Sequence, residues 1–405
     1  MSRSSPTSPA EEVSKRQRIE TAGLKLKAAN IIRFNFYTPS TKLSDEFHSM
    51  WFTHQIFEHE ELEVFQYPDI AINIYVNTIT LDSFVVIHHA PSSSRDYQHI
   101  LEILQPHFIP SKAQFGDFDD FQRYRDEEII TCQPIAPIGS VIRSWSLHDQ
   151  NFDIRLSTSQ TLGALEILQA VEKLAVWYIE TADSIDFSDN RFELLIVYQT
   201  LTRNIDDKEL HSICGYMTLY TFLNPFSGNK LRICQALVSP HMQGKGIGRE
   251  LILAAYQLAA TRDDIVEVTV EDPAEGFSKL RDAVDVELVL TKSDWRGMMD
   301  SSEKERIEAA KSLKMKLSQY IFALEALEYM ELTRACDTKE FKDEVVDPLR
   351  CFRLKVKKQL MKDNTEVKSA PKDRMRAYLD ELFSERRERY DQVLRNRRLK
   401  ELLAV

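Results

Sequence analysis

Glycine is scarce in this chain, 11 residues among 405, so any cluster of it points to a local backbone requirement. Cysteine is scarcer: Cys132, Cys214, Cys234, Cys336 and Cys351 stand at wide spacings with no CxxC pair. That excludes a disulfide framework, and His211 ahead of Cys214 adds too few ligands for a zinc or other metal site. Long apolar runs are missing too. The longest, Leu251 to Ala260, is interrupted by Gln257 and falls short of the roughly 20 residues that cross a bilayer, so no membrane span is expected. The first thirty residues lack the apolar stretch and cleavage site of a secretory signal, which predicts a protein that stays inside the cell.

Positive charge is also short over most of the chain. Residues 301–405 hold 25 Lys and Arg against 20 Asp and Glu, so the formal net of -11 leaves -16 on the first 300 residues. A body that acidic repels nucleic acid and attracts basic polypeptides; a solvated acidic surface with no partner is the plain alternative. What is present in quantity is apolar material, 43% of residues beside 28% charged, enough for two or three ordinary cores.

Residues 1–23 begin with a Ser- and Pro-rich stretch without aromatics and read as a disordered tail, in which KRQR at 15–18 has the form of a short nuclear import signal. Residues 24–150 carry β-branched runs, Ile70 to Val76, Ile79 to Ile87 and Ser140 to Trp145, and read as a mixed α/β domain. From 151 to 295 the pattern changes. Leu162, Leu165, Leu168, Leu174 and Trp177 predict a helix ending near Glu180. Strands follow at Phe192 to Thr200, Cys214 to Phe222 and Leu231 to Ser239, the first two separated by a polar NIDDKE loop. A helix with Ile247, Leu251, Ala254, Ala255 and Leu258 precedes a last strand, Ile265 to Glu271, that ends in EDP. Residues 296–405 predict charged amphipathic helices, the first marked by Leu317, Ile321, Leu324 and Leu327, with Pro348 and Pro371 as dividers. The last, Arg374 to Leu403, carries a stripe of Leu379, Leu382, Phe383, Tyr390, Val393 and Leu394 that is expected to pack on the body.

Three of the few glycines fall within Gln243-Gly244-Lys245-Gly246-Ile247-Gly248, between a strand and a helix. Residues without Cβ let successive N–H groups converge, and the helix start adds about half a positive charge, which together suit a pyrophosphate. A Walker loop is excluded, because Ser239 stands where its first Gly belongs and Gly246 follows Lys245. The dinucleotide pattern GxGxxG is excluded as well, since Arg249 occupies its last Gly.

Read over Gln243 to Gly248 after Val238 and Pro240, the loop resembles the acetyl-CoA loop of the Gcn5-related N-acetyltransferases. The segment VEVTVEDPAEGFSKLRD, with WYIETADSID at 177–186 and FTHQIF at 52–57, resembles the catalytic subunits of type B histone acetyltransferases. That likeness runs in order from about residue 25 to 300. It implies an α+β fold, a Gcn5-related N-acetyltransferase core with a mixed α/β N-terminal domain and a helical C-terminal region. It also implies acetyl transfer from acetyl-CoA to lysines of the N-terminal tail of new, free histone H4, with no metal, and a WD-repeat histone chaperone as partner in nucleus and cytoplasm. Direct binding to nucleic acid or membrane is not expected.

Acetyl transfer needs a neutral amine, and deprotonating a lysine at pH 7 costs about 4.6 kcal/mol. The resemblance makes Glu271 the general base, with Asp272 and Glu180 as further carboxylates for the same site. Asp272 capping the next turn, and Glu180 as a surface carboxylate, are the plain alternatives. A route through Cys234 lacks a neighbouring His pattern. The family motif assigns the pantetheine arm to the backbone of Ala236, Leu237 and Val238, the pyrophosphate to Gln243, Gly244, Lys245, Gly246, Ile247, Gly248 and Arg249, and a place near the cofactor to Ala274. It assigns the acceptor peptide to Glu60, Glu61, Tyr220, Thr221 and Phe222. Two other readings remain: a histone-binding subunit without catalysis, and the same chemistry on a small amine or a protein N-terminus.

Overall fold

In a computed structural model the described residues are 24–39, 43–52, 55–56, 61–64, 70–88, 98–131, 135–202, 208–337, 347–364 and 371–403. The chain forms two compact units, Met1–Thr218 with Gln235–Ile247, and Leu219–Cys234 with Gly248–Val405.

In the first unit, β1 (Leu24–Lys27) leads through α1 (Ala28–Ile31) into β2 (Ile32–Tyr37), followed by β3 (His48–Ser49), β4 (Glu61–Val64), β5 (Ala71–Asn77) and β6 (Ser83–His88). Helix α2 (Gln98–Leu104), strand β7 (Ala113–Gly116) and helix α3 (Phe118–Thr131) complete this region. β1 and β4 pair by themselves, and the others form a five-stranded sheet in the order β3-β2-β5-β6-β7. Both faces of that sheet are covered, which is why successive residues are buried along Ile74, Tyr75 and Val76 of β5 and Phe84, Val85 and Val86 of β6. Phe34, Ile72, Ile74 and Val85 enter the main core, while Tyr37, Tyr75, Phe84 and Val86 meet Phe121 of α3 on the other side. The expected strand Ile79 to Ile87 begins only at Ser83, because residues 77–82 make the turn between β5 and β6. There the Asn77 side chain accepts from the Ile79 N–H at 2.9 Å, and Leu81 takes a positive φ of 60°.

β8 (Ser140–Leu147), β9 (Gln150–Thr158), helix α4 (Ala164–Ala175), β10 (Phe192–Thr202), β11 (Glu209–Phe222) and β12 (Asn229–Val238) follow. Helix α5 (Ile247–Ala260) and β13 (Ile265–Val270) come next, and the strands β8 to β13 lie in sequence order in a six-stranded sheet. The α+β fold class is the one read from the sequence. β12 and β13 run parallel, an arrangement that requires the crossover α5 provides. The NIDDKE loop falls largely outside the described residues.

Two expectations for α4 fail. The helix stops at Ala175 rather than near Glu180, and Leu162 and Leu165 stand exposed while Leu168, Ala175 and Trp177 are buried. The stop has a tertiary cause. Gln55 Nε2 donates to the carbonyls of Val176 and Ile179, both at 2.8 Å, and the N–H of Trp51 donates to the Trp177 carbonyl at 3.0 Å. The carbonyls just past the helix thus bind another segment, and Thr181 turns the chain with a φ of 55°.

The second unit continues with α6 (Glu275–Lys292), α7 (Trp295–Met298), α8 (Glu303–Ser312), α9 (Leu317–Asp337), α10 (Pro348–Asp363), α11 (Lys372–Leu394) and α12 (Arg397–Leu403). Pro348 opens α10 and Pro371 caps α11, so both prolines sit at helix starts, where the missing N–H is harmless. The expected last helix is two, α11 and α12, but its stripe packs as expected: Leu379, Phe383, Tyr390 and Val393 are buried. Tyr390 donates to Glu325 at 2.6 Å, Arg386 pairs with the same carboxylate at 2.8 Å, and Arg389 grips Asp282 of α6. Inside α6, Asp285 is fully buried and accepts from Tyr256 and Gln319, each at 2.6 Å; burial pushes its carboxyl up to about 6. On β13 the Val268 N–H donates to the Lys314 carbonyl at 2.8 Å, and its carbonyl accepts from Arg281 at 2.5 Å.

Candidate active site

The glycine-rich loop hangs between two buried anchors, Met242 and Ile247, and Gln243, Gly244, Lys245 and Gly246 between them are exposed. Gly244 and Gly246 have φ of 75° and 82°, a left-handed backbone that side chains disfavour, and a Cβ on either would point into open space. Alternation of such residues with an ordinary one turns peptide N–H groups toward one concave side. The loop leads straight into α5, so the requirements of a pyrophosphate cradle are met: glycine conformation, open room and a helix start. Gln243 Nε2 folds back on the Val238 carbonyl at 3.0 Å, and Lys245 Nζ lies 3.3 Å from Met242 Sδ. Arg249 turns elsewhere, since its guanidinium pairs with Glu287 and Glu250, which raises its proton affinity and leaves the backbone N–H as what it can offer a phosphate. Ala236, Leu237 and Val238 form the end of β12, and Gly215 on β11 lies so near that a Cβ there would stand 2.7 Å from the Leu237 carbonyl oxygen. His241 stacks on Phe36 with centroids 4.9 Å apart, and its buried Nδ1 has no partner among the described residues. Burial first, then Lys245 and His48, lower this imidazole to about 3 and keep it neutral.

The FTHQIF and WYIETADSID segments meet in the first unit. Gln55 makes the two bonds described above, Trp177 packs edge-on against Phe34 at 5.2 Å, and Tyr178 is buried with it. Further along, Glu172 accepts from the Ile185 N–H at 2.7 Å. Gln235, accepting from Tyr216 at 2.9 Å, donates to the Asp183 carbonyl at 2.6 Å. Glu180 is therefore an exposed carboxylate on a loop held at both sides, not the end of a helix. Glu60 lies outside the described residues. Glu61 begins β4, in register with Lys27 of β1.

In the second unit Glu271 stands just past β13, with its N–H still donating to the Ile233 carbonyl at 2.9 Å. Its carboxylate, half-exposed, receives Arg232 Nη1 at 3.4 Å. Arg232 lies with its guanidinium carbon 4.0 Å from the centroid of the Phe222 ring, and that ring meets Tyr220 edge-on at 4.7 Å. Thus Tyr220, Phe222 and Glu271 are brought together through a residue that the sequence did not single out. Cys234, two along β12 from Arg232 on the same face, has its thiol pushed up to about 12, by burial and then by Glu271. Thr221 is half-buried on β11. Asp272 is exposed with a φ of 31°, and the next helix is capped at Ala274 without any side-chain bond, so Asp272 does not cap it. The signals for the missed residues were thin. Arg232 is one of many surface cations, whereas Gln235 occupies a buried phase of the Leu231, Ile233, Leu237 alternation and was detectable as a polar intruder.

Residues 24–180 match the family described as "Histone acetyl transferase HAT1 N-terminus", and residues 167–278 match the "Acetyltransferase (GNAT) family". The chain is 26% identical over 329 residues to the histone acetyltransferase type B catalytic subunit of Candida albicans, covering 78% of this chain and 76% of that protein. It is 24% identical over 328 residues to the protein of the same name from Homo sapiens, covering 76% and 73%. With two family matches that overlap at 167–180 and together run from residue 24 to 278, and relatives matched over about three quarters of their length, the chain is similar to the histone acetyltransferase type B catalytic subunits and is a histone acetyltransferase that uses acetyl-CoA.

Proposed function

We propose that this acetyltransferase modifies lysines in the N-terminal tail of newly made, free histone H4, by direct attack of the amine on acetyl-CoA with Glu271 as general base. The observation that carries the mechanism is the exposed Glu271 carboxylate just past β13, paired with Arg232, whose guanidinium lies over the Phe222 ring. Acetyl-CoA supplies the thioester. Its pyrophosphate is assigned to the backbone of Gln243 to Arg249 and its pantetheine arm to the Ala236 to Val238 backbone, with Ala274 near it. The lysine ammonium gives one proton to Glu271; the amine nitrogen attacks the thioester carbonyl, the C–S bond breaks, and the departing thiolate takes the second proton. An acetyl-cysteine route is disfavoured by the Cys234 thiol, which at about 12 carries almost no thiolate near neutral pH. The acidic first 300 residues support a basic peptide as acceptor, and Tyr220, Thr221 and Phe222, with Glu60 and Glu61, are the residues assigned to it. A WD-repeat histone chaperone as partner, and a place in both nucleus and cytoplasm, belong to the same reading.

The test is mass spectrometry of an H4 tail peptide, a polyamine and an unrelated N-terminal peptide, each incubated with acetyl-CoA and the protein. Acetylation of the H4 peptide alone is expected; preference for the polyamine or the terminal amine overturns the substrate, and no product with any of them points to a binding subunit. Glu271→Gln is expected to slow H4 acetylation by about 100-fold. Unchanged turnover would move the base to Glu180 or Asp272.

A further inference from the structure

Arg232 stands in an unusual place for an enzyme that receives a cationic side chain. On the half-exposed face of β12 its guanidinium lies over the Phe222 ring at 4.0 Å and reaches Glu271 at 3.4 Å. Lys230, one step earlier on that face, is matched with Glu267 at 2.5 Å, so the face carries two cation–carboxylate pairs between the parallel strands β12 and β13. The two pairs differ. Lys230 and Glu267 lie within the paired part of the strands, whereas Glu271 lies beyond the end of β13, where ladder bonds no longer fix the backbone on both sides. Arg232 and Glu271 have side chains about one third and one half exposed, and a pair so wetted contributes little to folding. What it does supply is direction: a flat guanidinium pinned on an aromatic face has few orientations left, and so restricts the carboxylate it holds.

We infer that Arg232 is a positioning residue that holds the Glu271 carboxylate toward the acceptor amine, with the Phe222 ring as its platform. The inference rests on the assignment of Glu271 as the base, and it explains why the peptide-side aromatic and the base are linked through a cation. Loss of Arg232 leaves the carboxylate in place but free to rotate, so the penalty falls on turnover rather than on binding.

The experiment is a double-mutant cycle on the full chain with an H4 tail peptide and acetyl-CoA, with thermal melts of each variant. Arg232→Gln is expected to lower kcat by about tenfold, with KM for both substrates within about twofold of wild type, and Arg232→Lys, which keeps the charge without the planar fork, to recover only part of the loss. In the Glu271→Gln background, Arg232→Gln is expected to have no further effect. A wild-type kcat for Arg232→Gln, a loss confined to KM for the peptide, or an equal loss in both backgrounds would overturn the positioning role. If Glu271→Gln itself turns over at the wild-type rate, the base assignment fails first, a result distinct from the others. Should Arg232→Gln not fold, Phe222→Leu takes its place in the cycle, because it removes the platform and keeps the charge: about a threefold loss of kcat that vanishes in the Glu271→Gln background supports the role, and an additive loss or none refutes it.

Discussion

His241 is a residue whose chemistry is set wholly by its surroundings. It precedes the glycine loop, stacks on Phe36, and remains neutral because burial and the nearby Lys245 oppose its proton. The unfolded chain gains that proton below about 6.5, while the folded imidazole refuses it until about 3, so stability is present above 6.5 and is lost as pH falls across that window. At pH 5 the loss from this group is about 2 kcal/mol. His241→Phe keeps the stack without the titration; denaturant unfolding at pH 7.5 and 5.0 should show wild type losing about that much more than the variant. Equal losses would show that the imidazole is protonated in the fold.

Among the elements, the loop before α5 was legible in the sequence, because left-handed backbone has a residue type of its own and Gly244 and Gly246 show it. The end of α4 was not. Apolar spacing continues past Ala175 to Trp177, but the carbonyls beyond bind Gln55, more than 120 residues earlier in the chain, and no local pattern encodes such a partner. Arg232 escaped for a related reason: its meaning comes from what lies beside it on the next strand and on the preceding one. By contrast the helix dividers Pro348 and Pro371 were readable, since proline's missing N–H restricts it to helix starts wherever the helix goes. For the loop a sharp test follows. Gly246→Ala places a methyl group in open space, so the strain of left-handed backbone, about 1 kcal/mol, is the expected effect on melting. Acetyl-CoA affinity measured by calorimetry should drop further, by about tenfold or more, as the methyl group enters the room assigned to phosphate. Unaltered affinity would place the pyrophosphate elsewhere.

At the scale of the whole molecule, the helical region after residue 296 is part of a core and not an appendage. Tyr390 of α11 meets Phe322, Tyr329 and Phe352, at centroid distances of 5.4, 5.5 and 6.1 Å, and closes on the buried Glu325. Ending the chain after Asn364 would strip these rings and strand a buried carboxylate without Arg386. The truncated protein is expected to be insoluble or to be digested rapidly in limited proteolysis; a soluble product with wild-type acetylation would show that α11 and α12 are dispensable. Sequence composition indicated the helices, their dividers and the buried stripe, but not the network beneath it, in which Asp285, Tyr256, Arg281 and Gln319 come from three helices. The bonds that Lys314 and Arg281 make to Val268 have one more effect. They plug the outer flank of β13, so the strand at this border of the sheet is blocked from zipping onto the edge of another copy there, a built-in guard against strand-to-strand aggregation.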